Sequence, residues 1–408
     1  MKDNLKELFF PFFVLFLIFS DELFSSFLTV MNIAAESGMK SRLATFIAIV
    51  SYLMLAIDLI KGRMSYRNGK QLLILGIILS LYIITGFTYP HSQIYHLYVS
   101  SLLVYGALSI PAAYVGMRLA RGGYEDNILH YLPYFLVVVT FAIGYMVLFR
   151  FSQGTIMGAE ENDVMSYQGA SYAMSFCCAY CIFYVFWNSQ SRRTFRDKIM
   201  YCAVVLIMFM SAVGCIVGGG RGAFLYLIFV TAYLVYRIIG RERKRGRFKY
   251  FLMLAGAAIV MVYLANRFQI FESAGAIRVA ENLTKDEVRD MLRSKALASF
   301  KESPIIGHGI GSVWWEVGYY AHNMILDFMV EMGLIGTIIM IMVIIRMLHT
   351  LIVRSNVRSF DMFILLILLG NLVEGTFSGY WISLFKLFLV FGYVYGLNKE
   401  QKEVISAK

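Results

Sequence analysis

Residues 322–345 read "HNMILDFMVEMGLIGTIIMIMVII". From Met324 onward only Asp327, Glu331 and Thr337 interrupt an apolar run that reaches Ile345. A buried strand uses four to eight such residues, whereas a helix that crosses a bilayer needs about 20. The stretch therefore reads as a membrane-spanning helix whose mouth carries a His-Asn pair, with Asp327 and Glu331 one turn apart just inside it.

The rest of the chain agrees. Its 408 residues are 59% hydrophobic and 15% charged, against about 25% charged in a soluble domain, and mean hydropathy is +0.67. Too few groups are available to solvate it, so the solvent it fits is a bilayer. Approximate spans fall at 8–34, 43–60, 71–88, 97–117, 131–149, 168–187, 199–217, 223–239, 250–267, 323–347, 360–379 and 381–397. The expected fold is an all-α polytopic membrane protein of about 12 transmembrane helices. Net charge is +11, but the basic residues sit in short loops between apolar runs and form no stripe, which excludes a nucleic-acid partner.

Lysine and arginine asymmetry sets the orientation. One set of loops carries Lys61, Arg63, Arg67 and Lys70, then Arg118 and Arg121, then Arg192, Arg193, Arg196 and Lys198. It continues with "GRERKRGRFK" (240–249), Arg354 and Arg358, and tail lysines 399, 402 and 408. The opposite set is poor in positive charge, and 150–167 holds Glu160, Glu161 and Asp163. Both termini are expected in the cytoplasm of a bacterial inner membrane. The chain divides into N-terminal spans (1–267), a large external, periplasmic loop (268–322), and C-terminal spans with a short tail (323–408).

That loop breaks the charge rule. "LTKDEVRDMLRSKALASFKESP" (283–304) reads as an amphipathic helix, with Leu283, Val288, Met291, Leu292, Ala296, Leu297 and Phe300 near one face. Thr284 and Glu287 form a capping-box pattern, Pro304 ends the helix, and "IIGHGIGS" is a glycine-rich turn. Arg278, Lys285, Lys295 and Lys301 suit lipid headgroups. Arg221 differs: in "IVGGGRGAFLYL" it opens a helix among Gly218, Gly219, Gly220 and Gly222. A guanidinium beside helix N-terminal amides makes an anion site, although a tight interhelical turn with a snorkelling arginine has the same pattern. His322, Asn323, Arg289 and Arg293 share that external side, and arginine forks match phosphate oxygens. Glu374 in "GNLVEGTFSGYW" is a carboxylate late in a span near the same face, where function or an arginine partner is expected.

No metal motif is visible: His91, His96, His130, His308, His322 and His349 are dispersed. Cys178 and Cys181 have redox spacing, but all five cysteines lie in apolar runs, as small membrane-helix residues do.

Three pieces together resemble the bacterial O-antigen polymerase and O-antigen ligase superfamily: "RGAFL" (221–225), "VRDMLRSKALASFKESPIIGHGIGS" (288–312), and "HNMILDFMVEMGLIGT" (322–337), the last as His-Asn, nine residues, Gly-x-x-Gly. The resemblance covers about residues 210–337. It implies a GT-C type glycosyltransferase, metal-independent, without cofactor and inverting, with an undecaprenyl-pyrophosphate-linked oligosaccharide as donor. Arg221 and Arg289 would bind the pyrophosphate, with Arg293 one turn from Arg289 as the competing position, and His322 would be the essential histidine. Arg293, Asn323, Gly220, Gly222 and Glu374 would complete substrate binding. Partners would be a glycan or lipid A–core acceptor and a chain-length regulator of O-antigen, lipopolysaccharide or capsule synthesis. Polymerase is preferred over ligase. A lipid flippase or transporter would need polar residues at the membrane midplane, and these spans keep Asp58, Lys386 and Glu374 near their ends.

Overall fold

The computed structural model describes residues 2–31, 39–64, 66–88, 107–154, 165–186, 194–241, 269–281 and 287–397, with isolated positions between them. The acidic cluster at 160–163, the stretch 242–249, nearly all of the 250–267 span, the Thr284 cap and the tail lysines lie outside the described residues.

Among the described residues the secondary structure is helical. We label the helices α1 (Lys2–Val30), α2 (Met39–Ile60), α3 (Tyr66–Thr88), α4 (Ala107–Leu119), α5 (Glu125–Ser152), α6 (Tyr167–Phe186), α7 (Phe195–Gly218) and α8 (Arg221–Arg241). They continue with α9 (Ala274–Glu281), α10 (Glu287–Glu302), α11 (Val313–Glu316), α12 (Met324–Arg354), α13 (Ser359–Phe377) and α14 (Phe385–Gly396). Eight of these, α1, α2, α3, α5, α6, α7, α12 and α13, are long and apolar enough to cross a membrane. Of the expected 97–117 span, the described helix is α4; the expected 381–397 span is the shorter α14, entered through a 3-10 turn at Trp381–Ser383.

Exposed apolar side chains keep helical spacing. Leu73, Ile74, Ile77, Leu81, Ile84 and Phe87 line α3; Leu334, Ile335, Ile338, Ile339, Met342 and Ile345 line α12. Water does not tolerate such stripes at this density; lipid does.

The chain forms two compact units, one of Met1–Ser37 with Asp126–Lys285, the other of Gly38–Glu125 with Asp286–Lys408. In the first, α6 packs against α7 and α8, and α9 lies on α7. In the second, α14 packs along α4, and glycine makes that possible: a Cβ at Gly392 would fall 1.9 Å from the Ala113 carbonyl oxygen and one at Gly116 2.0 Å from that of Leu389. Backbones this close are how membrane helices gain packing without a hydrophobic drive.

Ion pairs gather at one end of the second unit. Asp58 accepts from the Tyr114 hydroxyl at 2.7 Å and lies within 4.0 Å of Arg63, Arg118 and Arg121. Arg358 pairs with Glu125 at 2.8 Å, and Arg354 with buried Asp361 at 3.2 Å. The loops at 61–63, 118–125 and 354–361 thus share an end. The start of α12 and the end of α13 lie at the other.

Candidate functional site

In the second unit the site starts from α10. Its packed face carries Arg289, Leu292, Arg293, Ala296 and Ser299, with Leu292, Ala296 and Ser299 buried, and it lies against α12. Val288, Met291 and Leu297, placed with Leu292 and Ala296 on one expected face, are exposed instead. The protein takes the arginine edge and leaves the apolar edge outward.

Arg289 Nη1 donates to the Phe377 carbonyl at 3.1 Å, and His322 Nδ1 lies 3.1 Å from the next carbonyl, that of Ser378. Two groups 33 positions apart in sequence (322 − 289) thereby converge on consecutive carbonyls at the end of α13. A carbonyl can only accept, so neutral His322 carries its proton on Nδ1 and its lone pair on Nε2. The ring lies beside the stacked pair Tyr319 and Tyr320, with centroids at 5.6 and 4.4 Å.

Several contacts hold His322 there. Its backbone is left-handed, φ 52°, which a non-glycine residue adopts only when its surroundings impose it. On one side Asn323 caps α12, its Oδ1 accepting from the Ile325 and Leu326 amides at 3.0 and 3.2 Å. On the other, Asp327 reaches back from inside α12 and accepts from the buried Ala321 amide at 2.9 Å. One turn on, Glu331 accepts from the Tyr380 hydroxyl at 2.6 Å and Trp381 Nε1 at 2.9 Å, anchoring the segment that follows the Phe377 and Ser378 carbonyls. Burial first, and the Glu331 carboxylate next, push the Tyr380 hydroxyl well above the usual tyrosine range, so it stays a donor.

Asp327 and Glu331 are thus carboxylates that position the site from within the helix, and Tyr319, Tyr320, Tyr380 and Trp381 are parts of it that sequence inspection passed over. The i, i+4 carboxylate pair after His-Asn was the visible signal; the aromatic residues carry none in so aromatic a chain.

Arg293 Nη1 lies 3.6 Å from Asp290 Oδ1 on its own helix. Glu374 is half-buried at the end of α13, where its carbonyl accepts from the Ser378 and Gly379 amides at 2.7 Å each. Asn323, expected at the substrate, has its side-chain oxygen committed to the helix cap.

In the first unit, Arg221 opens α8 and is half-buried. Gly219, at φ 80°, ends α7, and the Gly220 amide donates to Ser171 Oγ at 3.0 Å. A Cβ at Gly219 would lie 2.9 Å from Gly275 Cα, and one at Gly220 2.6 Å from Ser171 Cβ. The glycine run therefore serves close packing on α6 and α9. Gly222 is buried in the first turn of α8, whose leading amides have no acceptor within the helix.

Residues 205–341 match the family model described as O-antigen ligase. That segment contains Arg221, Arg289, Arg293, His322 and the Gly-x-x-Gly, and the match supports the placement in the O-antigen polymerase and ligase superfamily of membrane enzymes. A comparison with curated proteins finds no match.

Proposed function

We propose that the protein is a membrane glycosyltransferase that uses a glycan on undecaprenyl pyrophosphate as donor and polymerises repeat units of a surface polysaccharide. The observation that carries this reading is the convergence of Arg289 and His322 on the Phe377 and Ser378 carbonyls. The guanidinium is anchored through one donor to the Phe377 carbonyl, and its planar fork is the geometry that matches phosphate oxygens. The His322 tautomer places a basic lone pair on Nε2.

In the reaction, an acceptor hydroxyl attacks the anomeric carbon with inversion. The bond from that carbon to the bridging phosphate oxygen breaks, and undecaprenyl pyrophosphate leaves. Arg289, and Arg221 by its family position, stabilise the charge growing on that oxygen. His322 Nε2 takes the hydroxyl proton, a step worth about 10²–10⁴ in rate. The basic face of the loop attracts the anionic carrier on the external side of the membrane.

A second reading, ligation of finished glycan to lipid A–core or another acceptor, is favoured by the description of the matching family. Deletion in the native host separates them on a gel. A single repeat unit on the final acceptor supports polymerase. Long chains retained on the lipid carrier support ligase. Unextended units trapped on the cytoplasmic face sink both. Restoring His322→Ala, Arg289→Ala or Arg221→Ala should leave the deletion phenotype with the protein present in the membrane; full restoration by any of them removes that residue from the site.

A further inference from the structure

A second constellation of titratable side chains sits within residues 302–316. Glu302 ends α10, His308 stands in the Gly-x-Gly turn, and Glu316 ends α11. One ligand atom from each lies within 4.8 Å of the other two. The histidines are scattered in sequence, and it is folding that gives His308 two carboxylate neighbours.

Backbone hydrogen bonds fix the turn that carries His308. The Gly307 amide donates to the Ser303 carbonyl at 3.0 Å, and Ser303 Oγ donates to that of Gly307 at 2.9 Å. The His308 and Gly309 amides donate to the Val330 and Glu331 carbonyls at 2.9 and 2.8 Å. His308 Nε2 lies 2.9 Å from the Ser299 carbonyl. The proton must be on Nε2, so the neutral ring keeps its lone pair on Nδ1, the state in which a histidine binds metal with its orientation fixed by a backbone carbonyl. Beside it stand two carboxylates, and among the described residues neither forms an ion pair with a basic side chain. Glu302 is exposed and the other two are half-buried, so an ion can reach them.

We infer that Glu302, His308 and Glu316 bind a divalent transition cation, zinc in the first instance. One imidazole and two carboxylates, without thiolate, give a nitrogen–oxygen donor set that suits zinc with a water in the fourth position. Zinc bonds are about 2.0–2.2 Å long, and the exposed Glu302 side chain has the freedom to adjust to them. The ion clips the end of α10, which carries Arg289, to α11, whose Trp314 and Trp315 pack on Tyr98. The site shares no residue with Arg289 and His322 and stands whether or not glycosyl transfer is the activity.

The test uses the full chain, purified in detergent, tag-free, stripped with chelator and carrying Cys202→Ser, because Cys202 is an exposed thiol. Zinc chloride alone is titrated, read by calorimetry and by the thermal midpoint from tryptophan fluorescence. About one equivalent should bind and raise the midpoint, and His308→Asn and Glu316→Gln should each weaken binding tenfold or more. Glu302→Gln, at an exposed position, should do the same with the metal-free midpoint unchanged, which guards against simple misfolding. Equal zinc binding by a His308→Asn/Glu316→Gln protein, or no saturable binding by the parent, overturns the inference.

Discussion

At the residue scale, the position of His322 is set by a carboxylate that does not belong to the reaction. Asp327 Oδ1 holds the Ala321 amide, and Ala321 is fully buried. Removing the acceptor strands a buried donor, at a cost of about 1–3 kcal/mol, and frees the residue preceding a strained left-handed histidine. Asp327→Ala is therefore expected to lower the thermal midpoint and to cut transfer at least tenfold, whereas Asp327→Asn, which keeps an oxygen in place, should recover most of the turnover. The paired measurement matters, because a merely structural aspartate would move stability without splitting the two variants in kcat. Equal kcat for the parent and Asp327→Ala would end the positioning role. Glu331 is held to the same standard through Tyr380 and Trp381: Glu331→Ala leaves both donors buried and should cost more than Asp327→Ala.

At the element scale, α12 is two helices joined at Gly333, whose φ of 60° and ψ of −165° are open only to glycine. The break frees backbone groups that must be satisfied, and the loop after Pro304 takes them. Leu334 and Ile335 amides donate to the Pro304 and Ile305 carbonyls at 2.8 and 3.3 Å, while the Val330 and Glu331 carbonyls accept from His308 and Gly309. A Cβ at Gly333 would stand 2.4 Å from the Ile305 backbone, and one at Gly336 2.3 Å from Met332 Cβ. Gly333 is thus a seat for the loop, and Gly336 leaves room for the Met332 side chain of its own helix. Gly333→Ala should destabilise the protein by about 2–4 kcal/mol, from overpacking and forced backbone strain together. Gly318→Ala makes the control: its φ is also positive, at 85°, but nothing lies within 4 Å of the added methyl, so only strain of about 1 kcal/mol remains. Matching losses of midpoint for the two would mean that the loop does not depend on the kink.

At the scale of the whole molecule, what the sequence made legible is what depends on local pattern. Apolar runs declared α1, α2, α3, α5, α6, α7, α12 and α13; Asn323 before an apolar helix and Pro304 after a charged one marked real boundaries. Contacts that join distant positions left no such trace. Arg289 and His322 meet on carbonyls 88 and 56 positions away, and the compact units take α1 from one part of the chain and α5 to α9 from another. Local pattern also marks the faces that meet lipid. Ile339 stands at the middle of α12 and is 51% exposed on an all-apolar stripe. In water a charge there would be harmless or helpful; at the centre of a bilayer an arginine costs about 2.5–3.5 kcal/mol. Ile339→Arg should therefore reduce the membrane-inserted fraction and the detergent-extracted yield, and Ser294→Arg, on the exposed side of α10, should change neither. A normal yield of Ile339→Arg, with the protein now stable without detergent, would mean that this stripe is covered by protein or water, and the lipid-facing assignment of α12 would have to be withdrawn along with it.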